Sequence, residues 1–121
     1  MAEQHFPKVT VSVTNARGTD PLCQCLQALT KTDYPDFEII VVDCQTPQIS
    51  EWVHRLFPAV KVAHFDNDIG PSASHNAGAA KANPRSKYIA FVDNDALVEP
   101  NWLKESVKFM EKDEKIGIVQ P

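Results

Sequence analysis

The chain has 121 residues, 43% hydrophobic and 23% charged, with 12 Lys and Arg against 16 Asp and Glu for a net charge of −4. That length and balance fit one globular domain with its own core and exclude disordered, collagen-like and coiled-coil classes, and the acidic surplus argues against nucleic acid as a partner. The central apolar run Ile39-Ile40-Val41-Val42 is far short of a membrane span of roughly 20 residues, and Cys23, Cys25 and Cys44 make neither a disulfide framework nor a zinc site.

Along the chain, Val9, Val11 and Val13 alternate with Thr10, Ser12 and Thr14, the period of a strand. Asp20-Pro21 offers an N-cap and a first-turn proline, after which Leu22, Cys25, Leu26 and Leu29 fall on one helical face. Tyr34-Pro35-Asp36 ends that helix, and the β-branched run Phe37 to Val42 reads as a buried strand. Thr46-Pro47 predicts the start of a second helix with Ile49, Trp52, Val53, Leu56 and Phe57 on its apolar face, and Val60 to Phe65 predicts a third strand. Gly70-Pro71 opens a helix over Ser72 to Ala82, whose small residues suit close approach to a sheet or a ligand. Tyr88 to Val92 reads as a fourth strand, and Glu99-Pro100 opens a fourth helix with Leu103, Val107 and Met110 inward. Ile116 to Val119 reads as a last short strand. Strands and helices alternate throughout, so the expected fold class is α/β, a three-layer α/β/α arrangement with a mostly parallel, doubly wound sheet.

In such sheets ligands bind beyond the carboxyl ends of the strands, where strand order reverses. That rule selects Thr14 to Arg17, Asp43 to Thr46, Asn67 to Gly70 and Asp93 to Asp95. Each Asp there also suits a plain turn or cap. Asp93 and Asp95, at i and i+2 on an extended segment, would point the same way. Two carboxylates so aimed repel unless a cation sits between them. Mg²⁺ and Mn²⁺ take oxygen ligands and share carboxylates with phosphates, so the pair suggests metal-assisted binding of a diphosphate. A lone D-x-D also fits a polar turn.

The segment Tyr88-Ile89-Ala90-Phe91-Val92-Asp93-Asn94-Asp95-Ala96-Leu97-Val98-Glu99-Pro100-Asn101-Trp102-Leu103 resembles the D-x-D region of family 2 glycosyltransferases of the GT-A fold. Cys25 to Leu29, Tyr34 to Asp43, Asn67 with Gly70, Ala73-x-x-Asn76-x-Gly78 and Lys115 to Val119 are similar to further family blocks in the same order, over about residues 8 to 121. The resemblance implies a nucleotide-diphospho-sugar donor, a divalent metal (Mn²⁺ or Mg²⁺) and transfer of the sugar to an acceptor with inversion. It places Asp43 at the nucleotide base, Asp93 at the ribose, Asp95 on the metal, and Asn76 and Gly78 where a helix approaches the donor. Read as residues alone, Asp43 also fits a cap, Asn76 a helix surface and Gly78 pure packing. The family's aromatic after strand one is absent from Val13 to Gly18, one acidic residue is missing from Asp43-Cys44-Gln45-Thr46, and His75 stands where a basic residue is common.

In inverting members the general base lies well downstream of the D-x-D motif. Glu99, Glu105, Glu111, Asp113 and Glu114 read as a charged helix face, so no catalytic residue is assigned. Residues 1–121 are therefore expected to form a single nucleotide-sugar-binding domain that lacks the acceptor half, a truncated piece of a longer enzyme. An alternative is a non-catalytic nucleotide-binding or regulatory α/β module; a receiver-like domain with Asp43 as phosphoacceptor is weaker. The expected partner is the donor, the acceptor being unnamed, with self-association through an exposed sheet edge near Ile116 to Val119. Met1 to Phe6 shows no leader pattern, and with the free thiols this reads as a cytoplasmic protein, at most peripheral to the inner face of a membrane.

Overall fold

The computed structural model describes residues 6–113. Strict alternation of the two local periodicities gives β1 (Val9–Ala16), α1 (Asp20–Thr30), β2 (Phe37–Cys44), α2 (Ile49–Leu56), β3 (Lys61–Phe65), α3 (Gly70–Lys81), β4 (Tyr88–Asp93) and α4 (Trp102–Glu111). The strands form one sheet in the order β3-β2-β1-β4, with every pairing parallel. Val9 lies opposite Phe37 on one side and Tyr88 on the other, so the three strands begin in step; β1 and β2 also end together, Ala16 opposite Cys44, while β4 stops at Asp93, opposite Thr14. Parallel pairing forces each connection to cross the sheet, and right-handed crossovers place α1 and α2 on one face. After β3 the chain returns to the far side of β1, which puts α3 on the opposite face. The side chains agree. Val9, Val11, Val13, Ile39 and Val41 share one core with Leu22, Leu26 and Leu29 of α1, Ile49 and Val53 of α2, and Leu103 and Val107 of α4.

On the other face α3 lies low over β1 and β2, and Gly78 is what allows it. A Cβ added there would stand 2.0 Å from the Ser12 Oγ and 3.0 Å from its Cβ. The small-residue helix is thus a close-packed one, against the sheet.

Several local expectations shift. Helix α1 begins at Asp20 itself, with Thr19 preceding it and no side-chain cap bond, so Asp20 acts as a first-turn carboxylate facing the helix dipole. Helix α2 begins only at Ile49, because Gln48 takes the left-handed conformation. Leu56 is 47% exposed, which narrows the apolar face of that short helix. Glu111, expected on a solvated helix face, is instead bonded by Lys87 Nζ and the Tyr88 hydroxyl, tying α4 to the start of β4. The strand expected at Ile116 to Val119, and with it the proposed edge for self-association, lies outside the described residues. Among the described residues no helix is long and apolar enough to cross a membrane.

Candidate functional site

The order β3-β2-β1-β4 reverses direction between β1 and β4, so the crevice at their carboxyl ends is the ligand position that the topology favours. Asp43, at the end of β2, lies beside it and is fully buried. Its Oδ1 accepts from Asn15 Nδ2 at 2.8 Å; its Oδ2 accepts from the Thr46 backbone amide at 3.0 Å and pairs with His64 Nδ1 at 2.9 Å. Asn15 also donates to the Gly18 carbonyl at 2.8 Å, and its Oδ1 accepts from Asn94 Nδ2 at 2.9 Å. Sheet register explains the assembly, since Asn15 is the β1 partner of Asp43 and His64 its β3 partner. Asp43 therefore presents no oxygen to solvent; it orients the groups around it. The same burial removes the receiver-like alternative, which needs an accessible carboxylate.

Asp93 closes β4, and Asn94 and Asp95 sit in a turn held by the Ala96 amide on the Asp93 carbonyl at 3.1 Å. The extended D-x-D geometry expected from the sequence is thus replaced by a strand end followed by a turn. Both carboxylates are exposed, and among the described residues no hydrogen bond or ion pair reaches either. Beneath them the Cys25 thiol of α1 contacts the Asp93 carbonyl at 3.6 Å. Burial pushes that thiol up to about 11, and the negative charge of Asp95 adds to the effect, so it stays protonated and able to donate. On α3, Asn76 is exposed and Gly78 is buried against the sheet. His75, one residue before Asn76, stacks on Phe91 of β4 with ring centroids 4.5 Å apart.

The rim near Asp43 carries backbone strain. Arg17 and Gln45 both adopt positive φ, 50° and 66°, and their side chains bond to each other at 3.0 Å. Residues other than glycine are held this way only where their surroundings enforce it, and such sites cluster where ligands bind. His64, its side chain 30% exposed, has its pKa raised above the ordinary value, chiefly by its hydrogen bond to Asp43 and further by Asp66 at 3.0 Å.

The structure brings together Asp93, Asp95 and the Asp43 cluster along one sheet end, with Asn76 on the helix above the opposite face. Sequence reading gave no role to Asn15, Thr46 and Asn94, although they lie in the strand-end segments it selected, and it missed His64 altogether. The signal for two of them was register: Asn15 and His64 occupy positions matching Asp43 at strand ends.

A parallel sheet that reverses between β1 and β4, with an acidic turn on the rim of the reversal, defines an α/β domain of the GT-A class. The family model for glycosyl transferase family 2 matches residues 9–121, and the chain belongs to that family. An uncharacterized glycosyltransferase of Rickettsia bellii is 31% identical over 107 residues, covering 87% of this chain and 15% of the relative. The minor teichoic acid biosynthesis protein GgaA of Bacillus subtilis is 33% identical over 88 residues, covering 69% of this chain and 20% of the relative. The chain thus spans well under a quarter of these curated relatives. Among solved structures, S. aureus TarS 1-349 in complex with UDP superposes with a TM-score of 0.74 at 25% identity, over 93% of this chain and 38% of that one. The mannosyltransferase PcManGT of Pyrobaculum calidifontis, in complex with GDP-Man and Mn²⁺, gives a TM-score of 0.78 at 24% identity, over 88% of this chain and 33% of that one, a likeness of fold.

Proposed function

We propose that this chain is the donor-binding part of a sugar-transferring enzyme, which holds a nucleotide-diphospho-sugar at the β1/β4 reversal through Mg²⁺ or Mn²⁺ for inverting transfer to an acceptor. The observation that carries this reading is the exposed, unpartnered pair Asp93 and Asp95 at that reversal in a family 2 chain. TarS, similar at 25% identity, has been solved with UDP and with UDP-GlcNAc, which supports a nucleoside-diphosphate ligand.

Asp95 is assigned to the cation and Asp93 to the ribose side. Among the described residues no cluster of His, Cys, Asp or Glu would enclose an ion alone. That fits a cation shared with diphosphate oxygens, as hard divalent ions prefer. A divalent cation held by Asp95 would supply Lewis-acid stabilisation for the negative charge of the leaving nucleoside diphosphate. The chain's own residues bind and orient. Asp43 serves the base side through Asn15 and His64, which it aligns. Gly78 brings α3 down onto the sheet, which sets the height at which Asn76 meets the donor. No general base is assigned among Glu99, Glu105 and Glu111: Glu111 is engaged with Lys87 and Tyr88, and Glu99 and Glu105 lie on α4 or its approach.

Calorimetric titration with UDP, GDP, CDP and ADP, with and without Mn²⁺, tests the reading. At least one should bind in a Mn²⁺-dependent manner, and D93A/D95A should weaken it by about tenfold or more, a loss of roughly 1.4 kcal/mol. Failure of all four nucleotides to bind, or binding indifferent to the double substitution, overturns it.

A further inference from the structure

The side chains at the four strand ends form one continuous hydrogen-bonded line. It runs from His64 on β3 to Asp43 on β2 at 2.9 Å, to Asn15 on β1 at 2.8 Å, and to Asn94 beyond β4 at 2.9 Å. Asn94 stands between Asp93 and Asp95, so the line ends inside the D-x-D turn. We propose that His64 is a positioning residue for that turn, acting on Asp93 and Asp95 through Asp43, Asn15 and Asn94. The proposal rests on the donor-site reading for its functional consequence, but the relay itself is a property of the chain.

Each link constrains the next. The Asn15 carbonyl oxygen is taken by Asn94, and its amide nitrogen serves both Asp43 and the Gly18 carbonyl. Rotating that amide by half a turn would set N–H against N–H and oxygen against carboxylate, so Asp43, an acceptor only, dictates its orientation. Asp43 in turn is a fully buried carboxylate with two neutral donors, Asn15 and the Thr46 amide, and a single titratable one. Among the described residues no Lys or Arg pairs with it. A buried charge needs compensation, and here only the imidazole can supply it. The other ring nitrogen meets Asp66 at 3.0 Å, so both nitrogens face carboxylates, an arrangement that favours the imidazolium. Asp43 from β2 and Asp66 from the segment after β3 are the charged groups that act on it; among the described residues no ion pair from α2 or α3 reaches it. Losing one of the two ring protons removes the positive charge beside the buried Asp43, which loosens the hold on Asn15 and frees Asn94 to turn.

The test uses the whole 121-residue chain and follows two readouts between pH 5.5 and 8.5: the side-chain amide resonances of Asn15 and Asn94, and affinity for UDP in the presence of Mn²⁺. In the wild type, the Asn94 resonance should shift with the same midpoint as the His64 ring, and affinity should fall roughly threefold to tenfold across that midpoint. H64Q retains a donor to Asp43 without a titrating proton, so it should show no such shift, and its residual pH slope reports the nucleotide phosphate alone. H64A should bind weakly throughout; if it does not fold, H64Q carries the comparison. An Asn94 resonance that ignores the His64 midpoint, or an H64Q variant with the wild-type slope, overturns the relay. Absence of UDP binding in the wild type would instead remove the donor-site reading, while the resonance arm would still decide the relay.

Discussion

Strand β2 carries a carboxylate near each end, Glu38 part-buried and Asp43 fully buried, and the two are held in opposite ways. Glu38, near its start, accepts from Lys61 Nζ at 2.8 Å on one oxygen and from Thr10 Oγ1 at 2.6 Å and the Asn83 amide at 2.7 Å on the other. Thr10 is bonded further to Ser86 at 2.7 Å. That end is stitched shut by a permanent cation and by segments from three strands and the connection after α3. Asp43, near the end of β2, has amides and a histidine instead, and beside it the backbone is strained at Arg17 and Gln45. The same side-chain chemistry closes one end of the sheet and leaves the other adjustable. Only the second end belongs to the reversal between β1 and β4.

The comparison breaks most directly in a pair of substitutions. Asp43→Ala removes the acceptor of two buried donors, Asn15 and the Thr46 amide, and of the part-exposed His64 ring, and should cost about 3 kcal/mol. Glu38→Ala should cost about 1–2 kcal/mol, because Lys61, 57% exposed, returns to water and Thr10 keeps Ser86. Urea unfolding of the two variants measures the order. If Glu38→Ala proves the more damaging, the carboxyl end of the sheet is not the one that depends on a finely balanced buried charge.

A smaller effect separates the ends by pH. Burial works against the Glu38 charge, but hydrogen bonds from Lys61, Thr10 and Asn83 outweigh it and lower the pKa below the ordinary glutamate value. A carboxyl whose folded pKa is depressed lends stability that is complete above its unfolded pKa and lost as pH falls through the folded one. His64 is raised, so its contribution is complete below its unfolded pKa and lost as pH rises through the folded one. Stability should therefore decline on both sides of mildly acidic pH. E38Q should flatten the acid limb and H64Q the limb on the alkaline side, each leaving the other in place. One substitution flattening both limbs would show the two ends to be coupled rather than independent.

Most of the fold was legible in the sequence because each element declares itself locally. The valine alternation of β1, the i, i+3, i+4, i+7 spacing in α1 and the β-branched run of β2 all lie in continuous stretches, and all three appear in the structure. The D-x-D position was legible for the same reason. What was not legible depends on register and on single backbone angles. Asn15 and His64 look like ordinary polar residues until β1, β2 and β3 are placed side by side, when they line up with Asp43, and Asn94 joins them only through its bond to Asn15. The late start of α2 follows from one left-handed residue, Gln48, and the turn at Asn94 and Asp95 from one backbone hydrogen bond. Burial of Asp43 was likewise invisible, since a strand-end Asp more often faces water.

The smallest expected effect concerns where strain is placed. Among the described residues the non-glycine positions with positive φ are Arg17, Gln45 and Gln48, all on loops that leave the carboxyl ends of β1 and β2; none is at the Glu38 end. At Gln45 the left-handed backbone costs a side-chain-bearing residue on the order of 1 kcal/mol, and glycine adopts it freely. Glycine also has more freedom to lose on folding, which offsets part of that gain. The bond that Gln45 accepts from Arg17 is exposed and contributes little. Gln45→Gly should therefore raise stability by about 0.5 kcal/mol in urea, while UDP affinity falls because Arg17 loses one of its two partners on the rim and keeps only Asp68, at 3.7 Å. Stabilisation together with tighter binding would mean that the strained turn does not serve the ligand. A loss of stability would mean that the Arg17–Gln45 bond, rather than the backbone, governs that corner of the sheet.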